Sequence, residues 1–210
     1  TVHWTNPTAS VYAPIAEAPA SYPEASALPI STASSQVLVV KKAKKKAPPR
    51  ARLVCVPYAG GSSSTFGPWA EVAPPWLEIV AIELPGRGAR ADENAATSDD
   101  DDRRELEAVR SALSTACADG LPWGLVGLSA GSLFVVELYQ GLEARILETL
   151  EVVCLAGRSP PESTTPVVPS DAEIVDVYAL VPKETAATEA FRQVALPRLR
   201  ADLATDARFE

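Results

Sequence analysis

The sequence predicts an α/β fold, in which a mainly parallel sheet is flanked by helices. Three observations support this prediction. Short apolar runs typical of buried strands alternate with helical segments. Turn residues such as glycine and proline separate the two kinds of element. The 210 residues are 47% hydrophobic and 22% charged, which is a globular composition with enough chain for one sizeable core.

The predicted strands are four short, mostly apolar runs, at 52–56, 77–84, 123–128 and 150–156. A continuous apolar run of this length is typical of a buried strand. The second run ends at Pro85 and Gly86, a pair that interrupts a strand and favours a turn. Because helical segments separate the runs, we expect the strands to be parallel.

The predicted helices lie between and after these runs. A short helix at 66–72 is stopped by two prolines. The segment 101–118 has apolar residues on one helical face, and the aspartates at its start complement the helix dipole as a solvated cap. The segment 130–142 is apolar almost all round, which predicts a buried helix. After Pro161 the pattern is helical from 172 to about 203, and no further strand is predicted.

Residues 1–49 are predicted to form a disordered or processed leader or linker. The part up to residue 40 contains five prolines and shows no sustained strand or helix periodicity. The lysine-rich stretch at 41–46 has two interpretations, a targeting or docking patch for an acidic partner or a solvated hinge. The hinge is favoured, so the packed domain is predicted to cover 50–210.

Composition and charge argue against several classes of function. A net charge of −8 argues against a nucleic-acid binder, because phosphates would repel the chain. No apolar run approaches the roughly 20 residues that span a bilayer, so no membrane segment is expected. The N-terminal segment lacks the pattern of a secretory signal, and we expect a cytoplasmic protein, with organelle targeting as an alternative. The three cysteines are predicted to be reduced core residues, not disulfides or metal ligands.

The strongest chemical signal is the pentapeptide Gly127-Leu128-Ser129-Ala130-Gly131, between a predicted strand and the predicted buried helix. It has the pattern G-x-S-x-G of a nucleophile elbow, a strained turn that exposes a serine hydroxyl. Side chains at the two glycine positions would collide with the neighbouring strand and helix. The N-terminus of the helix would also favour developing negative charge. Ser129 is therefore the candidate nucleophile, and the alternative is an ordinary turn serine.

A glycine-rich loop at 57–62 follows the first predicted strand. Its glycines allow positive φ and leave the main chain open to close approach. An elbow serine needs a second oxyanion donor besides the N–H of the next residue, and this donor comes from a loop after an earlier strand. We therefore predict an oxyanion hole made by the N–H of Ala130 and the N–H of Ala59 or Gly60. A flexible loop is the alternative.

Five sequence blocks resemble, in order, the type II thioesterases of polyketide and nonribosomal peptide assembly lines, which belong to the α/β-hydrolase superfamily. The blocks are RLVCVPYAGGSSSTFGPWAE, EIVAIELPGRGARADE, WGLVGLSAGSLFVVEL, LEVVCLAGRSPP and LPRLRADL. The resemblance covers about 52–210. The resemblance depends more on the segments PYAGGS, PGRGAR and LRAD than on the elbow, because these segments are far more specific than G-x-S-x-G.

This resemblance implies an α/β-hydrolase fold with a helical lid at about 170–203, and no metal or cofactor. It implies that Ser129 is the nucleophile and that Ala59 and Ala130 occupy the oxyanion positions. The implied activity is release of acyl groups from the phosphopantetheine arms of acyl or peptidyl carrier proteins, or from acyl-CoA, in polyketide, nonribosomal peptide or fatty acid synthesis. Two alternatives remain, a non-catalytic module that docks carrier proteins and an ester or amide hydrolase.

The sequence departs from the family pattern in two respects. Leu128 and Ala130 stand where the family usually has histidine and methionine, so the local acyl pocket is expected to differ. No histidine follows Ser129, although family members continue into strands that deliver an aspartate and then a histidine. We therefore expect a domain that is truncated at its C-terminus. This fragment alone is expected to be inactive, because a serine hydroxyl without a base is a weak nucleophile.

The arginines in PGRGAR, Arg87 and Arg90, have two interpretations. They could bind a phosphate of the phosphopantetheine arm or of coenzyme A. Alternatively, they stabilise a turn by donating to nearby carbonyl groups, since a guanidinium offers five donors in a fixed geometry. The structural interpretation is favoured.

Overall fold

A five-stranded sheet with helices on both faces forms the fold. The computed structural model describes residues 36–41, 47–157, 170, 188–189 and 191–208. The strands are β1 (Leu38–Val40), β2 (Ala51–Val56), β3 (Leu77–Ile82), β4 (Trp123–Leu128) and β5 (Leu150–Ala156). The α-helices are α1 (Gly67–Val72), α2 (Asp99–Ala116), α3 (Ala130–Gln140), α4 (Ala144–Leu147) and α5 (Leu196–Arg208).

The strands are arranged in the order β1-β3-β2-β4-β5. Strands β2 to β5 are parallel, whereas β1 runs antiparallel to β3. The four parallel strands correspond to the four predicted runs, so the predicted α/β class is confirmed. Since parallel strands end at the same edge of a sheet, the loops after β2 and β4 lie side by side there.

Each face of the sheet has its own core, because alternate residues of a strand point to opposite faces. On one face, Val54 of β2 packs in one cluster with Leu113 of α2 and Leu138 of α3. On the other face, Cys55 packs in a cluster with Ala70 of α1. Burial of a leucine or valine side chain contributes roughly 1.5–3 kcal/mol, so these contacts hold the helices on the sheet.

Residues 38–40 form an edge strand, so the prediction that they belong to an unpacked leader is wrong. Leu38 of β1 is 1% exposed and belongs to the core that includes α2 and α3. Lys41, assigned to the lysine-rich hinge, donates from Nζ to the hydroxyl of Ser63 at 2.9 Å. Burial lowers the pKa of Lys41, although the charge of Glu83 opposes this shift. The domain therefore begins before residue 50, and residues 1–35 and 42–46 lie outside the described residues.

Helix α2 begins at the predicted run of aspartates. The Ser98 hydroxyl accepts from the N–H of Asp101 at 3.2 Å, and four aspartates occupy the first turn. This run is a helix cap, as predicted, but it is not wholly solvated. Asp102 is 3% exposed and accepts a hydrogen bond from the Thr205 hydroxyl of α5 at 2.9 Å.

Strand β5 is the outer strand on the side opposite β1. Its side chains include Val152, 51% exposed, and Val153, 38% exposed, although parallel strands are normally covered on both faces. Cys154 of β5 is exposed, so the prediction that all three cysteines are buried is wrong for this residue. Cys55 and Cys117 are buried as predicted, and burial raises the pKa of each thiol to about 12.

The predicted lid at 170–203 is described only in part. Residues 171–187 and 190 lie outside the described residues. Residues 191–195 form a short π-helix that leads into α5. In the part of the chain that the structure describes, no helix has the length and apolar character to cross a membrane.

Candidate active site

Ser129 lies in the sharp turn between β4 and α3. Its φ is 51° and its ψ is −118°, and among the described residues it is the only one besides glycine with a positive φ. Such conformations cost roughly 1–3 kcal/mol and persist where the surrounding structure enforces them. The Ser129 N–H donates to the Ala156 carbonyl of β5 at 2.7 Å. The backbone thus has the strained strand-to-helix turn that the pentapeptide predicts.

Gly127 and Gly131 are required at this turn by the space around them. A Cβ atom on Gly127 would lie 2.4 Å from the carbonyl oxygen of Gly131. A Cβ atom on Gly131 would lie 2.5 Å from the carbonyl oxygen of Pro57. Both oxygens belong to the backbone, so no side-chain rotation relieves these collisions. The missing side chain at Gly127 therefore lets the start of α3 lie against the end of β4, and the missing side chain at Gly131 lets it lie against the end of β2 and Pro57.

The elbow contains a second serine with a different environment. Ser132 is 2% exposed, and its hydroxyl donates to the Gly127 carbonyl at 3.0 Å. Its side chain therefore stabilises the turn from within. Ser129 is half-buried, and no hydrogen bond joins its hydroxyl to any described residue. The Ser132 hydroxyl is therefore bonded within the turn, whereas the Ser129 hydroxyl is not bonded to the described residues.

The glycine-rich loop begins with a defined turn at 58–61. The Gly61 N–H donates to the Tyr58 carbonyl at 2.8 Å, and Gly60, the third residue of the turn, has φ 75°. Positive φ at that position alone is typical of a type II turn, and glycine adopts it without steric cost. The C=O and N–H of a trans peptide point in opposite directions. Since the Tyr58 C=O points into the turn, the N–H of Ala59 points out of it.

The two predicted oxyanion positions lie in one apolar cluster. Ala59 is 6% exposed, and Ala130 packs against the cluster that includes it. The other members come from the C-terminal segment: Phe191, Ala195, Leu196, Leu199 and Leu203. The Gly60 N–H, the alternative donor, is bonded to Asp202 Oδ2 at 2.7 Å. Of the two candidate donors in the loop, the Gly60 N–H therefore has a protein acceptor, and no hydrogen bond joins the Ala59 N–H to a described residue.

Helix α5 covers the turn. Leu199 lies over Gly60 so closely that a Cβ atom on the glycine would be 2.8 Å from Leu199 Cδ2. A cavity of about 40 Å³ remains between α5, the turn and the start of α3. One water molecule needs at least about 10–15 Å³ on this measure. The cavity therefore has the volume of a few water molecules.

Comparison with known proteins decides the family. The family model of the thioesterase domain matches residues 51–209. The chain belongs to this family. The chain is 32% identical over 197 residues to the AMB antimetabolite synthetase AmbE of Pseudomonas aeruginosa, a match that covers 89% of this chain and 9% of the synthetase. It is 28% identical over 158 residues to the gramicidin S biosynthesis protein GrsT of Aneurinibacillus migulanus, covering 72% of this chain and 60% of that protein.

A solved structure supports the same assignment. The thioesterase RedJ from the prodiginine biosynthetic pathway in Streptomyces coelicolor superimposes with a TM-score of 0.61 and 28% identity. This match covers 76% of the present chain and 61% of RedJ. The α/β-hydrolase fold implied by the sequence resemblance is thereby confirmed. The chain spans less than two thirds of the length of each of these three relatives.

The arginines of the thioesterase domain at 87 and 90 are structural, as favoured from the sequence. Arg87 is 2% exposed, and its guanidinium donates to the Gly61 carbonyl and to both carboxylate oxygens of Asp202. Arg90 is 7% exposed and makes a bidentate pair with Glu105. Protein acceptors therefore occupy both guanidinium groups, which argues against a phosphate-binding role.

Sequence reasoning missed two acidic residues of the thioesterase domain that hold the glycine loop. Asp202 belongs to the block LPRLRADL. The specificity of this block for the family was the sequence signal that could have identified Asp202. Glu83, directly after β3, is 1% exposed. Its carboxylate accepts from the Ser63 N–H at 2.9 Å and from the Ser63 hydroxyl at 2.6 Å. The sequence signal for Glu83 was a carboxylate directly after a buried strand, because such a buried charge needs donors from a neighbouring segment.

We expect Glu83→Ala to lower the free energy of unfolding by about 2–4 kcal/mol, because the buried N–H of Ser63 loses its acceptor and a cavity forms. Glu107→Ala is the matched control, since Glu107 is 76% exposed, and we expect a change within about 0.5 kcal/mol. Urea denaturation of both variants measures the difference. Equal stability of the two variants would contradict the assigned role of Glu83.

Proposed function

We propose that this thioesterase domain is a serine hydrolase of acyl thioesters, with Ser129 as its nucleophile. The observation that carries the proposal is the strained backbone of Ser129, with φ 51°, between two glycines that cannot accept a side chain. Strain of this kind, held at the carboxyl edge of a parallel sheet, is typical of a nucleophile elbow. The partial exposure of Ser129 supports access by a substrate.

In the proposed reaction, Ser129 Oγ attacks the carbonyl carbon of the thioester while a base takes the hydroxyl proton. The N–H groups of Ala59 and Ala130 donate to the oxyanion that forms. The C–S bond then breaks, the thiol leaves with a proton, and the acyl group stays on Ser129. Water attacks the acyl-enzyme by the same route and releases the carboxylic acid. The bond between Gly60 N–H and Asp202 supports Ala59 as the loop donor.

We propose that the base comes from outside residues 1–210. The only histidine of the chain is His3, which lies outside the described residues. Strand β5 lies at the edge of the sheet, and its apolar residues Val152 and Val153 are exposed. Both features support a further strand beside β5, which would help to cover these side chains. A chain that continues past Glu210 would then carry the base to the hydroxyl of Ser129.

The proposed substrates are acyl or peptidyl groups on the phosphopantetheine arm of a carrier protein, or the corresponding acyl-CoA. The names of the relatives, a synthetase and proteins of gramicidin S and prodiginine biosynthesis, support this class. The proposal includes a role in polyketide, nonribosomal peptide or fatty acid synthesis in the cytoplasm.

The test uses a chain that continues past Glu210 and compares an acyl-pantetheine thioester with the matched oxygen ester. We expect faster release of acid from the thioester and an acyl adduct on Ser129 in acid-quenched samples analysed by mass spectrometry. Preference for the oxygen ester would indicate an esterase. A module that only docks carrier proteins would bind an acyl carrier protein without releasing the acyl group.

A further inference from the structure

Two charged residues from distant parts of the chain meet at the glycine turn. Arg87 follows β3, Asp202 lies in α5, and their guanidinium and carboxylate groups form a bidentate pair with both distances 2.7 Å. Their side chains are 2% and 13% exposed. A pair that is this well shielded is weak evidence for stability, since its desolvation cost offsets its attraction. It does impose a geometry, because a bidentate pair forms only in one relative orientation.

Both members of the pair also bond to the backbone of the turn. Asp202 Oδ2 accepts from the Gly60 N–H at 2.7 Å, and Arg87 Nη1 donates to the Gly61 carbonyl at 2.9 Å. These contacts hold the peptide group that joins Ala59 to Gly60 and the one that joins Gly61 to Ser62. The internal bond of the turn, from Gly61 N–H to Tyr58 O, sets the direction of the Ala59 N–H. Movement of Gly61 would therefore turn the Ala59 N–H away from its present direction.

The pair also connects the turn to α5. Leu199, one turn before Asp202 on the same helix, packs directly over Gly60. A second polar bond holds the helix elsewhere, between Thr205 and Asp102 of α2. Of these two bonds, that of Asp202 reaches the backbone of the turn, whereas that of Thr205 reaches α2. The two bonds therefore allow attachment of the helix and control of the turn to be tested separately.

We propose that Arg87 and Asp202 are positioning residues that keep the Ala59 N–H directed at the oxyanion, so that α5 must be seated for the oxyanion to be stabilised. The catalytic part of this inference rests on the proposed function. The geometric part, control of the turn by α5, does not depend on any activity.

The geometric part is tested on the 210-residue chain by amide hydrogen exchange. We expect the Gly60 N–H to exchange at least about tenfold faster in Asp202→Ala, because its acceptor is lost. In the control Thr205→Val, which loosens α5 without touching the turn, we expect Gly60 exchange to stay within about twofold. Equal Gly60 exchange in wild type and Asp202→Ala, or equal acceleration in both variants, would overturn the inference.

The catalytic part is tested by kcat and KM for an acyl-pantetheine thioester in an active chain that continues past Glu210. We expect Asp202→Ala and Arg87→Lys to lower kcat by about 10–100-fold and to change KM by less than about threefold. Arg87→Lys keeps the charge but loses the bidentate geometry. Thr205→Val should keep kcat within about threefold of wild type.

The outcomes separate this inference from the proposed function. Loss of activity in Ser129→Ala together with unchanged kcat in Asp202→Ala and Arg87→Lys would overturn the positioning role and leave the function in place. Equal losses of kcat in Thr205→Val and Asp202→Ala would also overturn it, because general loosening of α5 would explain both. Full activity in Ser129→Ala would refute the proposed function, while the Gly60 exchange result would still stand.

Discussion

Replacing Ser129 with alanine is expected to lower the rate of thioester hydrolysis by at least about a thousandfold in a chain that carries the base. The hydroxyl is the proposed nucleophile, and oxyanion donors alone give only residual catalysis. The 210-residue chain itself is expected to hydrolyse thioesters near the background rate and to react slowly with a fluorophosphonate. The measurements are thiol release from acyl-pantetheine and labelling followed by mass spectrometry.

Ser132→Ala is the matched control for Ser129→Ala, because it removes the same atom three residues along the same turn. The Ser132 hydroxyl donates to the Gly127 carbonyl and has no proposed contact with the substrate. We expect its kcat/KM to stay within about tenfold of wild type, with any loss explained by a looser turn. Full activity in Ser129→Ala, or losses of equal size in both variants, would show that the nucleophile is assigned wrongly.

Gly131→Ala is expected to lower the free energy of unfolding by about 3–4 kcal/mol and to abolish reaction at Ser129. The added Cβ would lie 2.5 Å from the Pro57 carbonyl oxygen and 2.7 Å from that of Val56. Both are backbone atoms at the end of β2, so α3 would have to move away from the oxyanion loop. Urea denaturation measures the first effect, and fluorophosphonate labelling of a chain that carries the base measures the second.

Gly67→Ala provides the control for Gly131→Ala, because the chemical change is identical and a Cβ atom there meets no atom within 4 Å. Gly67 lies in α1, where alanine is the better helix former, so we expect unchanged or slightly higher stability, by up to about 1 kcal/mol. If both variants lost the same stability, the close contact at Gly131 would not be the cause.

Much of the fold could be predicted from the sequence because the information is local. Each of the parallel strands β2 to β5 is an apolar run that ends near a turn residue or a helix cap. The geometry of the elbow was also predictable, since Gly127 and Gly131 exclude side chains within five consecutive residues. The type II turn at 58–61 follows the same logic, because only Gly60 has to adopt a positive φ.

Strand β1 could not be predicted, because it has only three residues and pairs with β3 across a long stretch of chain. A strand of this length shows no periodic pattern, so its burial depends on a partner strand that already exists. The same holds for Lys41, which belongs to a lysine-rich stretch but bonds to Ser63. Composition alone assigned both to a leader, and the antiparallel pairing decided otherwise.

The sequence by itself determined that a strained serine turn and a glycine turn end two of the predicted strands, because both depend on which residues tolerate a given φ or a close backbone contact. Only the tertiary structure decided that the Gly60 N–H of the glycine turn has a protein acceptor. Asp202 accepts from Gly60 and pairs with Arg87, 115 residues away in the chain. Buried charges need partners, and residues that are far apart in the chain can supply them once the chain has folded. No local sequence pattern therefore specifies which residues pair.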